Sequence, residues 1–137
     1  HQMRDILSDL DISVVQFDLP PQDDPDACLH LMSVVSPLDH DLALIYEPLM
    51  PNNLQGVLKD FGYDLLSAPV NEFELSHGLS LNVLAVSERS VIAIEGFDET
   101  RALMENAGCV VSTFPGDELC IPCEGGPTCL TRPVLRQ

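Results

Sequence analysis

Two glycines 46 residues apart, Gly62 and Gly108, each end a segment of helical periodicity and each lead into a short apolar, β-rich run. A glycine directly after the last apolar position is the usual helix stop, because it accepts the left-handed backbone that a C-terminal cap needs. Upstream of each helix lie two further apolar runs separated by a turn. Residues 28–68 and 79–114 therefore read as two copies of one strand–strand–helix–strand unit. In the first copy, residues 28–35 are a strand, 37–41 a turn and 42–46 its partner. Pro51 opens a helix with Leu54, Val57, Leu58 and Phe61 on one face, and 63–68 is a strand. In the second, 79–86 is a strand, 87–89 a tight turn and 90–95 its partner. Asp98 caps a helix through Ala107, with Leu103, Met104 and Ala107 inward, and 109–114 closes the unit. A repeat of this period signals an array in which each unit buries a face against its neighbour. The fold class expected is α/β: repeated ββαβ units of a propeller, about two to three of them, in a single partial domain over 1–137. Two units cannot close a ring, and their outer strands leave unpaired edges that proteins normally cover. The covering units come either from upstream of His1 or from another chain. An open two-layer α/β sandwich is the alternative.

The flanks are simpler. Met3, Ile6, Leu7 and Leu10 form the stripe of an amphipathic helix over 1–10. Residues 12–17 read as a strand. Residues 18–26 hold three prolines and four aspartates and read as a solvated loop.

Charge narrows the function classes. The chain has 22 acidic and six basic residues, a formal net charge of −16. That excludes nucleic acid and anionic membrane surfaces, which need clustered Lys and Arg. It leaves cationic small molecules, and acidity as a solubility device serves equally well. No apolar run reaches the roughly 20 residues of a membrane span. Five cysteines, an odd count with no secretory signal, read as reduced thiols in the cytoplasm.

Chemistry concentrates near the end of the chain, in the run Glu124-Gly125-Gly126-Pro127-Thr128-Cys129-Leu130-Thr131-Arg132-Pro133. Two adjacent glycines allow a sharp turn or a close backbone approach. A cysteine just after them, at the mouth of a strand over 127–135, is where a nucleophile would be presented. The competing reading is a small buried hydrophobe, the usual fate of a free cysteine. His30, in the apolar run Cys28-Leu29-His30-Leu31-Met32, by itself reads as a satisfied core histidine. Cys120 and Cys123 match C-x-x-C but lack the helix start of a redox motif and the second pair of a zinc site, so they read as ordinary thiols. His40 and His77 fall in turns. No metal site and no cofactor is expected.

In order and spacing, Cys28–Met32, the strand Leu81-Asn82-Val83-Leu84-Ala85-Val86 and Gly125–Pro133 resemble the C-terminal half of the guanidino-group modifying superfamily. Its members include arginine deiminase, dimethylarginine dimethylaminohydrolase and the amidinotransferases. The resemblance covers roughly residues 27–137. It implies the pentein fold, five ββαβ units about a pseudo-fivefold axis, with the active site in the central channel. It also implies Cys129 as nucleophile, His30 as general acid/base and Asn82 in a structural role beside them. The implied activity is cysteine-dependent hydrolysis of the guanidino group of arginine or a derivative, through a covalent amidino-thioether. Amidino transfer by the same pair, or a non-catalytic binding pentein, are the alternatives. Met32 stands where many relatives carry an aspartate that grips the guanidinium, which removes one carboxylate contact. The family's remaining carboxylates belong to the half not in this chain, so the substrate-binding residues are unknown and the piece alone is expected to be inactive.

Overall fold

A computed structural model describes residues 2–10, 12–21, 30–132 and 134. Its centre is two three-stranded sheets of identical topology. The first joins β1 (Val35–Pro37), β2 (Leu42–Ile45) and β3 (Asp64–Ser67); the second joins β4 (Leu84–Ser87), β5 (Ser90–Ile94) and β6 (Val110–Phe114). In each, the first two strands are antiparallel and the last pairs parallel to the middle one. The parallel pairing requires a crossover, and a helix supplies it in both units. After α1 (Gln2–Leu7) near the chain start, these crossover helices are α2 (Leu54–Asp60) and, beyond α3 (Val70–Leu75), α4 (Asp98–Asn106). Gly62 and Gly108 end them with φ of 87° and 89°. Both inferred repeat units are thus ββαβ, and the mixed α/β class holds.

Burial follows from the middle strands being covered on both faces. Every residue of β2 is buried. Ala43 and Ile45 pack with Leu58, Tyr63 and Leu65 beneath α2. Leu42, Leu44 and Tyr46 point the other way, into a cluster shared with Leu81, Val83, Val91, Ala93 and Met104 of the second unit. The two units therefore share one core. A buried hydrogen bond, Ser36 Oγ to the Leu81 carbonyl at 2.6 Å, ties β1 to the start of the second unit. Arg89, in the β4–β5 turn, reaches back to Asp39 (Nε to Oδ2, 3.1 Å) and Asp41 (Nη2 to Oδ1, 3.0 Å), and gives Nη1 to the Ala107 carbonyl at the end of α4.

Several boundaries differ from expectation. The strand expected over 28–35 begins only at Val35. Residues 28 and 29 lie outside the described residues, and Leu31–Ser33 curl into a 3-10 turn, with Ser33 N–H donating to the His30 carbonyl. Leu79–Leu81 likewise form a 3-10 turn, so β4 starts five residues later than expected. Residues 12–17 enter no sheet among the described residues; an unpaired extended run has no ladder to hold it as a strand. Phe61 is 74% exposed and does not share the buried face of α2. Asp98 is not the cap of α4. The carboxylate of Glu72, on α3, accepts from the N–H groups of Glu99 (2.9 Å) and Thr100 (2.8 Å) and from the Thr100 hydroxyl. A buried tertiary partner thus satisfies the orphan donors of the helix start. The helix that carries it, α3, was not expected. Pro69 and Gly78 bracket it, and its Phe73 ring stacks nearly parallel on Tyr46.

Candidate active site

The loop after β6 runs through turns to α5 (Pro127–Leu130), a single helical turn. This replaces the strand expected over 127–135, of which residues 133 and 135 lie outside the described residues. Gly126 is extended (φ −86°, ψ −171°), and Pro127 is preset for the first turn that follows. Cys129 N–H closes that turn on the Gly126 carbonyl at 3.0 Å. Cys129 is thereby exposed, so the buried-hydrophobe reading fails.

What fixes this turn is Asn82. Its backbone follows the 3-10 turn that Ser36 pins, and the residue is only 7% exposed. Oδ1 accepts two donors from Thr128, the backbone N–H at 3.0 Å and the hydroxyl at 2.6 Å. Because the backbone N–H can only donate, the amide atom facing it must be oxygen. The amide nitrogen is left facing Cys129, and Nδ2 lies 3.0 Å from Sγ. The second glycine has a steric cause. Gly126 φ lies in a region any residue adopts, but a Cβ there would sit 2.4 Å from Asn82 Cγ and 2.6 Å from its Cβ.

His30 is exposed and extended, at the start of the Leu31–Ser33 turn. It is neither on a strand nor in the core, so the core-histidine reading fails. Met32 and Thr128 line one open cleft of about 1080 Å³, whose lining includes neither His30 nor Cys129. Asp39, His40 and Glu88 line it too, which makes that wall acidic. Asp39 holds the His40 ring at 2.7 Å and so raises the histidine above its ordinary value, while the His40 backbone N–H lowers the Asp39 carboxyl. Asp39, His40 and Asp41 bring three possible ligand atoms within 4.8 Å of one another. Arg89 already pairs with both carboxylates and offsets one of their two charges, which leaves less for a cation. Cys120 is buried and burial pushes its thiol up, whereas Cys123 is exposed. Both sit in consecutive turns rather than at a helix start, which matches the ordinary-thiol reading.

The sequence points to Asn82 near the site but not to its contact with the sulfur, and it gives Thr128 no role. Asn82 and Thr128 are 46 positions apart, so no local rule pairs them.

No protein-family model and no curated protein matches the sequence. Solved structures do. SxtG, an amidinotransferase from Microseira wollei in the saxitoxin biosynthetic pathway, superposes with a TM-score of 0.81 at 22% identity, over 99% of this chain and 40% of that one. The inosamine-phosphate amidinotransferase of Streptomyces griseus superposes with a TM-score of 0.66 at 19% identity, over 82% of this chain and 34% of that one. This chain therefore spans well under half of either enzyme, and by fold it is a part of a pentein of the kind solved in the amidinotransferases.

Proposed function

We propose that this chain carries the nucleophile of an enzyme that modifies the guanidino group of a small cationic substrate. The observation that carries the reading is the exposed Cys129 sulfur, held at 3.0 Å by a buried amide in a fold of the amidinotransferase type. A guanidinium carbon is delocalised over three nitrogens and is a poor electrophile, so a soft thiolate suits it. Cys129 Sγ forms a bond to that carbon, and the bond from the carbon to the leaving nitrogen breaks. His30 gives the leaving amine its proton. The amidino group then sits on sulfur. An acceptor amine attacks it, the S–C bond breaks, and His30 takes up the proton that the acceptor loses. With water as acceptor the same intermediate gives a hydrolysis product. The sequence reading put hydrolysis first. The likeness to two amidinotransferases favours transfer, with hydrolysis kept as the second reading because the same thiol and imidazole serve it. Glu88 on the cleft wall suits a cationic substrate. Among the described residues no helix is long and apolar enough to cross a membrane, and the four free cysteines described suit a reducing compartment such as the cytoplasm.

The whole protein, given a guanidine donor and an acceptor amine, should yield a new guanidine and the donor's free amine. The donor alone in water separates the readings, since a ureido product or released ammonia there favours hydrolysis. Unchanged turnover in Cys129→Ser refutes both.

A further inference from the structure

We propose that Asn82 is a positioning residue for the Cys129 sulfur, gripping it through Nδ2–H while Thr128 locks the amide the right way round. The proposal rests on the reading of Cys129 as nucleophile and extends it to how the nucleophile is held.

Three observations carry it. The two donors of Thr128 fix which end of the amide is oxygen, so the donor at Sγ is assigned by the backbone and not by choice. The amide is buried and its own backbone is pinned by the Ser36–Leu81 bond, so it has nowhere else to turn. Gly126 gives up its Cβ to let Asn82 come this close. An N–H aimed at sulfur matters because an ionised acceptor takes such a bond about twice as strongly as a neutral one. The contact thus favours the attacking form and points its lone pair in a fixed direction. It remains usable after attack, since the S–C bond needs only one sulfur lone pair.

Asn82→Asp is the decisive variant. Its shape is the same and one oxygen still accepts from Thr128, but the donor at sulfur becomes a carboxylate oxygen. The readout is the second-order rate of Cys129 alkylation by iodoacetamide across a pH series, with each modified thiol located by peptide mass spectrometry. Exposed Cys123 is the internal control. Near neutral pH the Asp variant should label at Cys129 roughly tenfold more slowly or worse, since a donor to an ionised acceptor is exchanged for a repelling charge. Its rate should recover only at higher pH, and Cys123 should be unaffected. Should the Asp variant fold poorly by circular dichroism, Thr128→Val serves instead. It removes one clamp on Oδ1 and should slow Cys129 labelling in the same direction by a smaller factor. A Cys129 profile identical to wild type in the folded variant overturns the proposal. Turnover of guanidines by Cys129→Ser tests the parent reading separately, because the alkylation profile does not depend on any substrate.

Discussion

Gly126→Ala is a sharp perturbation because its neighbour, Gly125, is a built-in control. At Gly126 the new methyl would meet Asn82 Cγ at 2.4 Å, Cβ at 2.6 Å and Oδ1 at 2.7 Å, against an ordinary carbon contact of about 3.5–4.0 Å. The overlap falls on the root of the Asn82 side chain, so no rotamer change relieves it and backbone must shift. Overpacking of this kind costs about 1–3 kcal/mol. The shift also breaks the two Thr128 bonds and the contact to sulfur, each worth about 1 kcal/mol. The total is about 4–6 kcal/mol, less the few tenths that alanine recovers by stiffening the unfolded chain. At Gly125 the added carbon would meet Cys129 Cβ at 3.4 Å, the Cys123 carbonyl at 3.7 Å and Leu130 Cδ2 at 3.8 Å. Those are ordinary contacts, and Gly125→Ala should change stability by less than about 1 kcal/mol. Urea unfolding of the two variants, read beside the rate of Cys129 alkylation, makes the comparison. Gly126→Ala should lose both stability and the selective labelling of Cys129, and Gly125→Ala should keep both. Equal tolerance at the two positions would refute the claim that Asn82 and the chain end are locked together.

Two other expectations follow from the same contacts. Glu72→Ala orphans two N–H groups and a hydroxyl at the start of α4, so unfolding in urea should show a loss of about 2–4 kcal/mol, and Glu72→Gln an intermediate loss; a neutral Glu72→Ala contradicts the capping role. The His40 ring should titrate above its ordinary value in a nuclear magnetic resonance pH series, because Asp39 accepts a hydrogen bond from the ring Nδ1–H and stabilises the cation. The contribution of this pair to stability is full below the ordinary histidine value and fades as the pH rises through the raised one. Asp39→Asn should return the ring to ordinary titration, and an unmoved midpoint would show that the pair is not what raises it.

The parts legible in the sequence were those carried by local chemistry with a period. Gly62 and Gly108 stop helices for a backbone reason, so they marked both ββαβ units without any tertiary information. His30 and Cys129 were named through the family resemblance, and their local settings were not legible. His30 and Cys129 were both expected on strands, and both sit at short helical turns instead. In each case a short i-to-i+3 or i-to-i+4 hydrogen bond wins over a sheet ladder that has no partner strand to offer. Helix α3 was missed because six residues cannot display a period, although Pro69 and Gly78 frame it. The cap of α4 was assigned to Asp98, the local residue of the right type. Glu72, 27 positions upstream of Glu99, does that work, and no local rule reveals a partner from another element.

The most direct test of the account is to find where an amidino group goes. The whole protein, mixed with a guanidine donor and quenched in acid before turnover completes, should show by intact-mass and peptide mass spectrometry one added amidino group, on Cys129. His30→Gln should slow its formation and its discharge to an acceptor amine. An amidino group on Cys120 or Cys123, or turnover proceeding with Cys129 unmodified at every quench time, would contradict the account.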